Sequence, residues 1–363
     1  MVKFLRSLRW KKLIIGLLLL YVAYFVLATL LPYLSQKKVG ASFAASVQSG
    51  DYYSDTVGTE RVACIEDNLD ALLWRIRLIE QAQDELIYVS FDFLDDTSGT
   101  DVIAALLSAA DRGVKVKVMI DGFSSTWTMV GSKAFQALSS HKNVQMKIYN
   151  PFTLVQPWRN QARMHDKYLI ADDQAYLLGG RNTSDLFLGE YSEKRNYDRE
   201  VLVYDTAPSE DNSLSQLKTY FQSVWDLPAS KVYSYEHKAQ KLSDTRQSLS
   251  QRYEALKGLY PEAFTQPDWL AATVPTNRVR LLSNPFHPGN KEPQLWYTLT
   301  QLMQTGESVL IQTPYVICNK EMYGDLEQLI AQGKDISILT NSPESGANVF
   351  GTGDFRLEKK KIV

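Results

Sequence analysis

Apolar positions along this chain fall into short runs broken by polar turns, except near the start, where one run is far longer than the rest. Leu13 to Leu31 is almost wholly Leu, Ile, Val, Ala, Tyr and Phe, and no charged residue occurs from Leu13 to Gln36. At about 1.5 Å per residue, such a helix crosses the roughly 30 Å hydrocarbon core of a bilayer. Lys3, Arg6, Arg9, Lys11 and Lys12 precede it, against Lys37 and Lys38 behind it. That bias keeps the N-terminus in the cytoplasm and sends the body to the other side of the cell membrane. A cleaved signal peptide is the rival reading, with Ser42-Phe43-Ala44 as the cut site. The run is longer than a signal core, however, and ends well before that site. Residues 1–12 are thus a basic cytoplasmic start, 13–35 a single-pass anchor, and 36–58, rich in Ser, Gly and Ala, a linker.

Beyond the linker the pattern alternates between strand and helix. Arg61 to Ile65 reads as a strand, and Asp67 or Asn68 caps a helix in which Leu69, Leu72, Ile76 and Ile79 share a face. Leu86 to Phe93 is apolar, β-branched and aromatic, the pattern of a strand buried on both sides. Gly99 to Arg112 is an amphipathic helix closed by Gly113, followed by a strand over Val114 to Ile120. Phe135 to Leu138 predicts a helix, and Val144 to Tyr149 another strand. This alternation predicts an α/β lobe over 59–205, with a mainly parallel sheet flanked by helices and Glu200 to Tyr204 as its closing strand. Between 206 and 275, helically spaced Leu214, Leu217, Phe221 and Val224 give way to Gln, Ser, Lys and Tyr. That texture predicts a helical insertion or inter-lobe arm without identifiable chemistry.

From 276 to 363 the beginning recurs. Arg278-Val-Arg-Leu-Leu echoes Arg61-Val-Ala-Cys-Ile, Ser308 to Tyr315 echoes Glu85 to Phe91, and Ala331 to Asn341 echoes Asp111 to Asp121. Offsets near a constant value of about 220 residues indicate an internal duplication.

The chemistry concentrates in Arg163-Met-His165-Asp-Lys167 and the residues after it, up to Gly179-Gly180-Arg-Asn182. The pattern predicts two strands joined by a turn at Asp172-Asp173-Gln174. Alternation along a strand sends His165 and Lys167 to one face, a nucleophile beside a cation. The glycine pair lets backbone approach whatever those groups hold, and Asn182 adds a neutral donor. Imidazole, ammonium and amide converging on one spot suit a phosphate oxyanion.

His165-x-Lys167-x4-Asp172-x6-Gly179-Gly180-x-Asn182 resembles the HKD signature of the phospholipase D superfamily, and the wider resemblance runs from about Arg61 onward. It implies two α/β lobes, each bearing one such motif, and exchange of a phosphodiester through a phosphohistidine. His165 would be the nucleophile, Lys167 and Asn182 would hold phosphate together with Gly179 and Gly180, and a second histidine would protonate the leaving alcohol. Asp172 belongs to the motif and is grouped with the catalytic residues, though its turn position suits a structural part. Asp198, in Asn196-Tyr-Asp198-Arg-Glu200, matches an acid that orients the nucleophile's other ring nitrogen. The counterpart of His165 is expected near position 385, about 220 residues on, so the second lobe of this chain is expected to be cut before its motif. An active centre would then need a homodimer, or the fragment would be inactive. A membrane anchor before such a body is similar to bacterial cardiolipin synthases, which implies a phospholipid substrate and an alcohol or water acceptor.

Charge sharpens this. The formal net charge is -2, but setting aside the five basic residues of the cytoplasmic start leaves 34 basic against 41 acidic side chains, a net of -7. A body that acidic disfavours nucleic acid, so a nuclease or other phosphodiesterase of the same fold is the lesser alternative. Cys64 and Cys318 lack zinc-site spacing, and their pairing cannot be read from sequence. Neither a metal nor a cofactor is called for. His141, His237 and His287 read as surface loop residues, Arg181 as solvated, and Lys359-Lys360-Lys361 as a solvated helix face.

Overall fold

A computed structural model describes residues 2–123, 128–342, 351, 353 and 356–358, with side chains from Trp10 onward except at 237–239. The Lys359-Lys360-Lys361 run lies outside the described residues, as does the His237 side chain. The chain divides into two compact units, the first made of 1–36, 55–281 and 286–291, the second of 37–54, 282–285 and 292–363.

The first unit begins with α1 (Val2–Leu30), and the stretch Trp10–Tyr33 is long and apolar enough to cross a membrane, with mean hydropathy 2.6. α2 (Ala41–Ser46), in the segment expected to be a plain linker, belongs to the second unit. The chain then runs β1 (Glu60–Ile65), α3 (Asn68–Gln81), β2 (Glu85–Ser90), α4 (Thr97–Asp111), β3 (Lys115–Asp121), α5 (Lys133–Ser139) and β4 (Val144–Tyr149). Local chemistry sets these bounds. The Asp67 carboxylate accepts from the amides of Leu69 and Asp70 to start α3, and Asp96 caps α4 through Gly99. Gly113, at φ +107°, turns the chain out of α4 into β3, a conformation that costs a residue with a Cβ.

β5 (Tyr168–Ala171), β6 (Ala175–Gly179) and β7 (Glu200–Asp205) follow, then α6 (Ser213–Trp225), β8 (Ser230–Tyr233), α7 (Ser243–Leu259) and β9 (Val274–Pro275). They complete a nine-stranded sheet in the order β8-β4-β3-β2-β5-β6-β7-β1-β9. Only β2, β3 and β4 run parallel; every other pairing is antiparallel. The expected mainly parallel sheet is therefore a parallel block of three within an antiparallel frame. Within that block α4 and α5 carry the chain across from one strand to its parallel neighbour, whereas the Asp172 turn sends β6 straight back along β5.

Residues 206–275 are not a separate arm. β8 pairs with β4 from Met146↔Tyr233 to Tyr149↔Ser230, so this segment closes one edge of the sheet. Its α6 covers one sheet face, packing Leu217, Phe221 and Val224 against Ile87, Val89, Met119 and Ile170. The other face carries α3, α4, α5 and α7, with Leu72, Ile76, Leu106 and Phe135 against Leu86, Tyr88 and Val118. Adjacent residues of β2 thus enter opposite cores, which is why that strand is an unbroken apolar run. Each such large side chain contributes roughly 1.5–3 kcal/mol by leaving water. Arg278 to Leu282, expected to repeat β1, is irregular; Val279 and Leu281 instead pack onto the core beneath α6.

In the second unit, α8 (Gln294–Met303) precedes β10 (Ser308–Gln312), α9 (Lys320–Ala331) and β11 (Asp335–Leu339). β10 and β11 pair in parallel, and Gly333 takes φ +84° between α9 and β11 as Gly113 does between α4 and β3. The order and punctuation repeat β2-α4-β3. Cys64 lies in the first unit and Cys318 in the second.

Candidate active site

The site lies where β2 and β3 end. Past Ser90 the β2 chain continues beside residues 182–184: Thr183 N donates to Asp92 O at 3.0 Å, and Leu94 N donates to Thr183 O at 3.0 Å. This places Phe91 and Asn182 at one end of the sheet. The Asn182 carbonyl accepts from Asp92 N at 3.3 Å, which leaves its Nδ2 as the donor end.

β3 ends at Asp121, which is fully buried. Its Oδ2 accepts from Met164 N at 2.8 Å, while Oδ1 accepts from Arg163 Nη1 at 3.0 Å and Phe123 N at 2.8 Å. Burial raises its pKa above the usual carboxylate range, opposed by the charge of Arg163. Arg163 also donates through Nη2 to Asn150 O at 2.7 Å. The two residues before His165 are thereby fixed to the ends of β3 and β4. In sequence Asp121 reads only as the end of a strand, with no part in the site.

β5 begins only at Tyr168, so His165 and Lys167 sit in the extended approach to the strand and not inside the ladder. Lys167 is buried; its Nζ donates to His165 O at 2.7 Å and lies 5.3 Å from the Phe91 ring centre. Burial lowers its pKa to about 8, against the opposing pull of the Asp166, Asp198 and Asp92 carboxylates. The His165 ring keeps access to solvent and lies 4.7 Å from the Phe91 ring. Surrounding protein, and then the charge of Lys167, hold its pKa down at about 4. At neutral pH the imidazole is uncharged and keeps a nucleophilic lone pair.

Asp166, between them, accepts from Tyr220 OH at 2.6 Å. Tyr220 lies on α6, in the segment expected to carry no chemistry. Burial raises the pKa of Asp166, and Lys291 and Lys167 act against that rise. Nothing in the local sequence marks Tyr220, because its partner lies 54 residues away.

Asp172 is brought elsewhere. β5 runs antiparallel to β2, with Leu86 opposite Ala171 and Val89 opposite Tyr168, so Asp172 lies a strand's length from His165. Its carboxylate accepts from the amides of Gln83, Asp84 and Glu85 at 2.9, 2.8 and 2.9 Å, and its φ is +52°. Grouping Asp172 with the catalytic residues is corrected: it ties the β5–β6 turn to the start of β2.

The glycine pair is tightly packed. Gly179 N donates to Lys167 O at 3.2 Å, and a Cβ there would meet Glu200 Cγ at 2.3 Å. A Cβ on Gly180 would stand 2.1 Å from Asp198 Oδ2. The glycines make room for the acidic approach to β7. Asp198 accepts from its neighbour Arg199 N at 2.7 Å and lies near enough to Lys167 to sustain its charge.

Arg181 is fully buried, not solvated: it donates to Asn68 Oδ1 at 3.2 Å, Ile65 O at 3.1 Å and Glu66 O. Glu200 behind it forms a two-pronged pair with Arg75 at 2.6 and 2.8 Å, and removing one member of such a buried pair costs about 3–5 kcal/mol. His141 is also buried, its Nε2 3.2 Å from Asp111 Oδ1, just before β4 and at the opposite end of the parallel block from Asp121. His287 belongs to the first unit and is half-buried.

Residues 75–225 match the family described as cardiolipin synthase, PLD-like domain. That region is a PLD-like domain, and the match supports a member of the phospholipase D superfamily. Among curated relatives, an uncharacterized protein of Helicobacter pylori is 24% identical over 355 residues, covering 90% of this chain and 66% of that protein. Cardiolipin synthase C of Escherichia coli is 27% identical over 324 residues, covering 82% of this chain and 66% of that protein. The chain thus spans just under two thirds of their length. The crystal structure of phosphatidylserine synthase from Haemophilus influenzae superposes with a TM-score of 0.54 at 14% identity, covering 85% of this chain and 69% of that one; the two share a fold. The matched family region begins in α3 and ends with α6, so it includes both the His165 segment and Tyr220.

Proposed function

We propose that the protein is a membrane-anchored, phospholipase D-type enzyme acting on the headgroup phosphodiester of a phospholipid. It transfers the phosphatidyl group to an alcohol, in the manner of a cardiolipin synthase, or to water. The observation that carries this reading is His165, an accessible imidazole kept neutral by a pKa of about 4 beside a buried lysine. In the first step a His165 ring nitrogen bonds to phosphorus as the bond to the headgroup oxygen breaks, and an acid protonates the leaving alcohol. In the second, the acceptor oxygen attacks phosphorus, the phosphorus–nitrogen bond breaks, and the acceptor's proton passes to that acid's conjugate base.

Lys167 Nζ and Asn182 Nδ2 are the donors for the charge that grows on the phosphoryl oxygens. Asp198 sustains the charge of Lys167, and Asp121 and Asp166 hold the segment that carries His165. The acid comes from a second histidine, supplied by the second lobe or by another copy in a homodimer. Trp10–Tyr33 is the anchor, with the basic start cytoplasmic and the body outside. The acidic balance of the body favours lipid over nucleic acid as the phosphodiester source.

The test uses the full chain in phosphatidylglycerol vesicles, with cardiolipin and free glycerol measured. Product from the native chain and none from His165→Ala supports the reading. Equal product from both, no product from either, or cleavage of added DNA that falls steeply with salt, would overturn it.

A further inference from the structure

Between β4 and His165 the chain makes a loop with an unusual surface. Leu154 is 57% exposed, Val155 77% and Trp158 39%, in a run of three apolar side chains presented outward within five residues. Isolated exposed apolar residues are ordinary, but a cluster on one loop marks a contact surface. The anchor helix says what that surface meets. Tyr21 OH donates to Leu154 O at 3.0 Å, Tyr24 OH to Val155 O at 3.0 Å, and Tyr33 OH to Trp158 O at 3.0 Å. The backbone carbonyls of the same three exposed residues are thus satisfied by tyrosines of the anchor. Phe25 of the anchor lies 6.3 Å from the ring of Phe152.

Several of the loop's polar groups are turned on one another. Thr153 N donates to Asn160 Oδ1 at 3.0 Å, and Asn160 Nδ2 donates back to Thr153 O at 2.8 Å. Thr153 Oγ1 accepts from Val155 N and Gln156 N at 3.2 and 3.3 Å, and Arg159 Nη1 donates to Gln156 Oε1 at 3.0 Å. Such closure is idle in water, where solvent satisfies backbone at no cost. In hydrocarbon it is required, because each unpaired backbone group there costs several kcal/mol. The contacts with the anchor run from Tyr21 to Tyr33, roughly 18 Å of helix at the usual rise.

We propose that the loop from Phe152 to Gln161 is a membrane-inserted wedge lying along the outer half of the anchor. The occupant of its exposed face is the bilayer itself. Asn150 grips both feet of the loop, donating to Arg159 O at 2.7 Å and Ala162 O at 2.9 Å, and Arg163 follows at once. The depth of the wedge therefore fixes the height of His165 against the headgroup phosphates, so the site meets lipid without extracting it. This rests on the reading of α1 as a membrane span.

The experiment reads depth directly. In the full chain with Cys64→Ser and Cys318→Ser, single substitutions Val155→Cys, Leu19→Cys or Val232→Cys carry a nitrobenzoxadiazole label. Val232 is 74% exposed on β8, the edge strand, and Leu19 is 64% exposed on the anchor. The proteins are reconstituted in phosphatidylcholine–phosphatidylglycerol vesicles, with or without doxyl-labelled lipid. The expected result is blue-shifted emission at 155, quenched at least twofold by doxyl lipid, with 19 quenched similarly and 232 unaffected. Quenching at 19 with 155 behaving like 232 overturns the wedge while leaving the anchor standing. Absence of quenching at both 19 and 155 removes the anchor, and the wedge falls with it.

Discussion

The two ends of β5 are built from the same motif and do opposite work. At the His165 end, charges are crowded into a partly dry recess without full compensation: Lys167 is buried and its pKa falls to about 8, and that of His165 falls to about 4. At the Asp172 end, one carboxylate satisfies three backbone amides and holds the hairpin at the foot of β2. A strongly perturbed base beside a buried cation is a candidate for chemistry, whereas a carboxylate filled by three backbone amides is scaffold. A histidine–lysine–aspartate spacing is therefore one signature for two separate sites, joined only by four residues of strand.

Substitutions can break or sharpen that contrast. The largest effect is expected from His165→Ala: turnover should fall at least about a thousandfold, with stability within about 0.5 kcal/mol because the ring is accessible. Steady-state turnover on vesicles and a urea melt check both halves. Lys167→Gln should cost about 10²–10³ in turnover by removing a preorganised donor, measured at matched folded protein. Asp172→Ala should invert the pattern. It leaves three amides without their acceptor and a non-glycine residue at positive φ, so stability should drop by about 2–3 kcal/mol while turnover per folded molecule holds. Loss of turnover in fully folded Asp172→Ala would erase the contrast.

The smallest effects are in pH. Protonating His165 removes its lone pair, so activity should fall as pH drops through about 4; neutralising Lys167 removes a cation, so it should fall again as pH rises through about 8. Gly180→Ala pushes the Asp198 carboxylate aside and withdraws its support from Lys167. The alkaline limb should then move to lower pH, with a loss of turnover of about tenfold at most. A pH–rate profile of both proteins measures the shift.

How much of this was legible in advance depends on distance along the chain. Strands and helices were readable where an element's partners are implied by its own pattern: β4 matches its predicted span, Val144 to Tyr149, and Asp67 caps its helix as its residue type suggests. His165, Lys167 and Asn182 stand out in sequence because they flank a single hairpin. Asp121, Tyr220 and Glu200 were not, since each acts through a partner 43, 54 or 125 residues away. Arg181 looks solvated in sequence because a charged residue ordinarily is; only the fold reveals its acceptors.

Strand direction was hidden for a related reason. Apolar runs do not say which way a neighbour runs, and the hairpin at Asp172 decides it for half the sheet. β2-α4-β3 and β10-α9-β11 make the same point. Their order and glycine punctuation agree, yet β2 is buried along nearly its whole length, whereas alternate residues of β10 are exposed, Leu310 by 71%. Pattern specifies the unit; burial comes from what packs on it.

The central claim, that His165 takes the phosphatidyl group, is open to one direct measurement. The full chain in vesicles would be mixed with phosphatidylglycerol, quenched in alkaline denaturant to preserve a phosphorus–nitrogen bond, digested and analysed by mass spectrometry. The account predicts a phosphatidyl adduct on the peptide bearing His165, absent from His165→Ala and retained in Asp172→Ala. Sustained turnover with no adduct, or an adduct on any other residue, would contradict it.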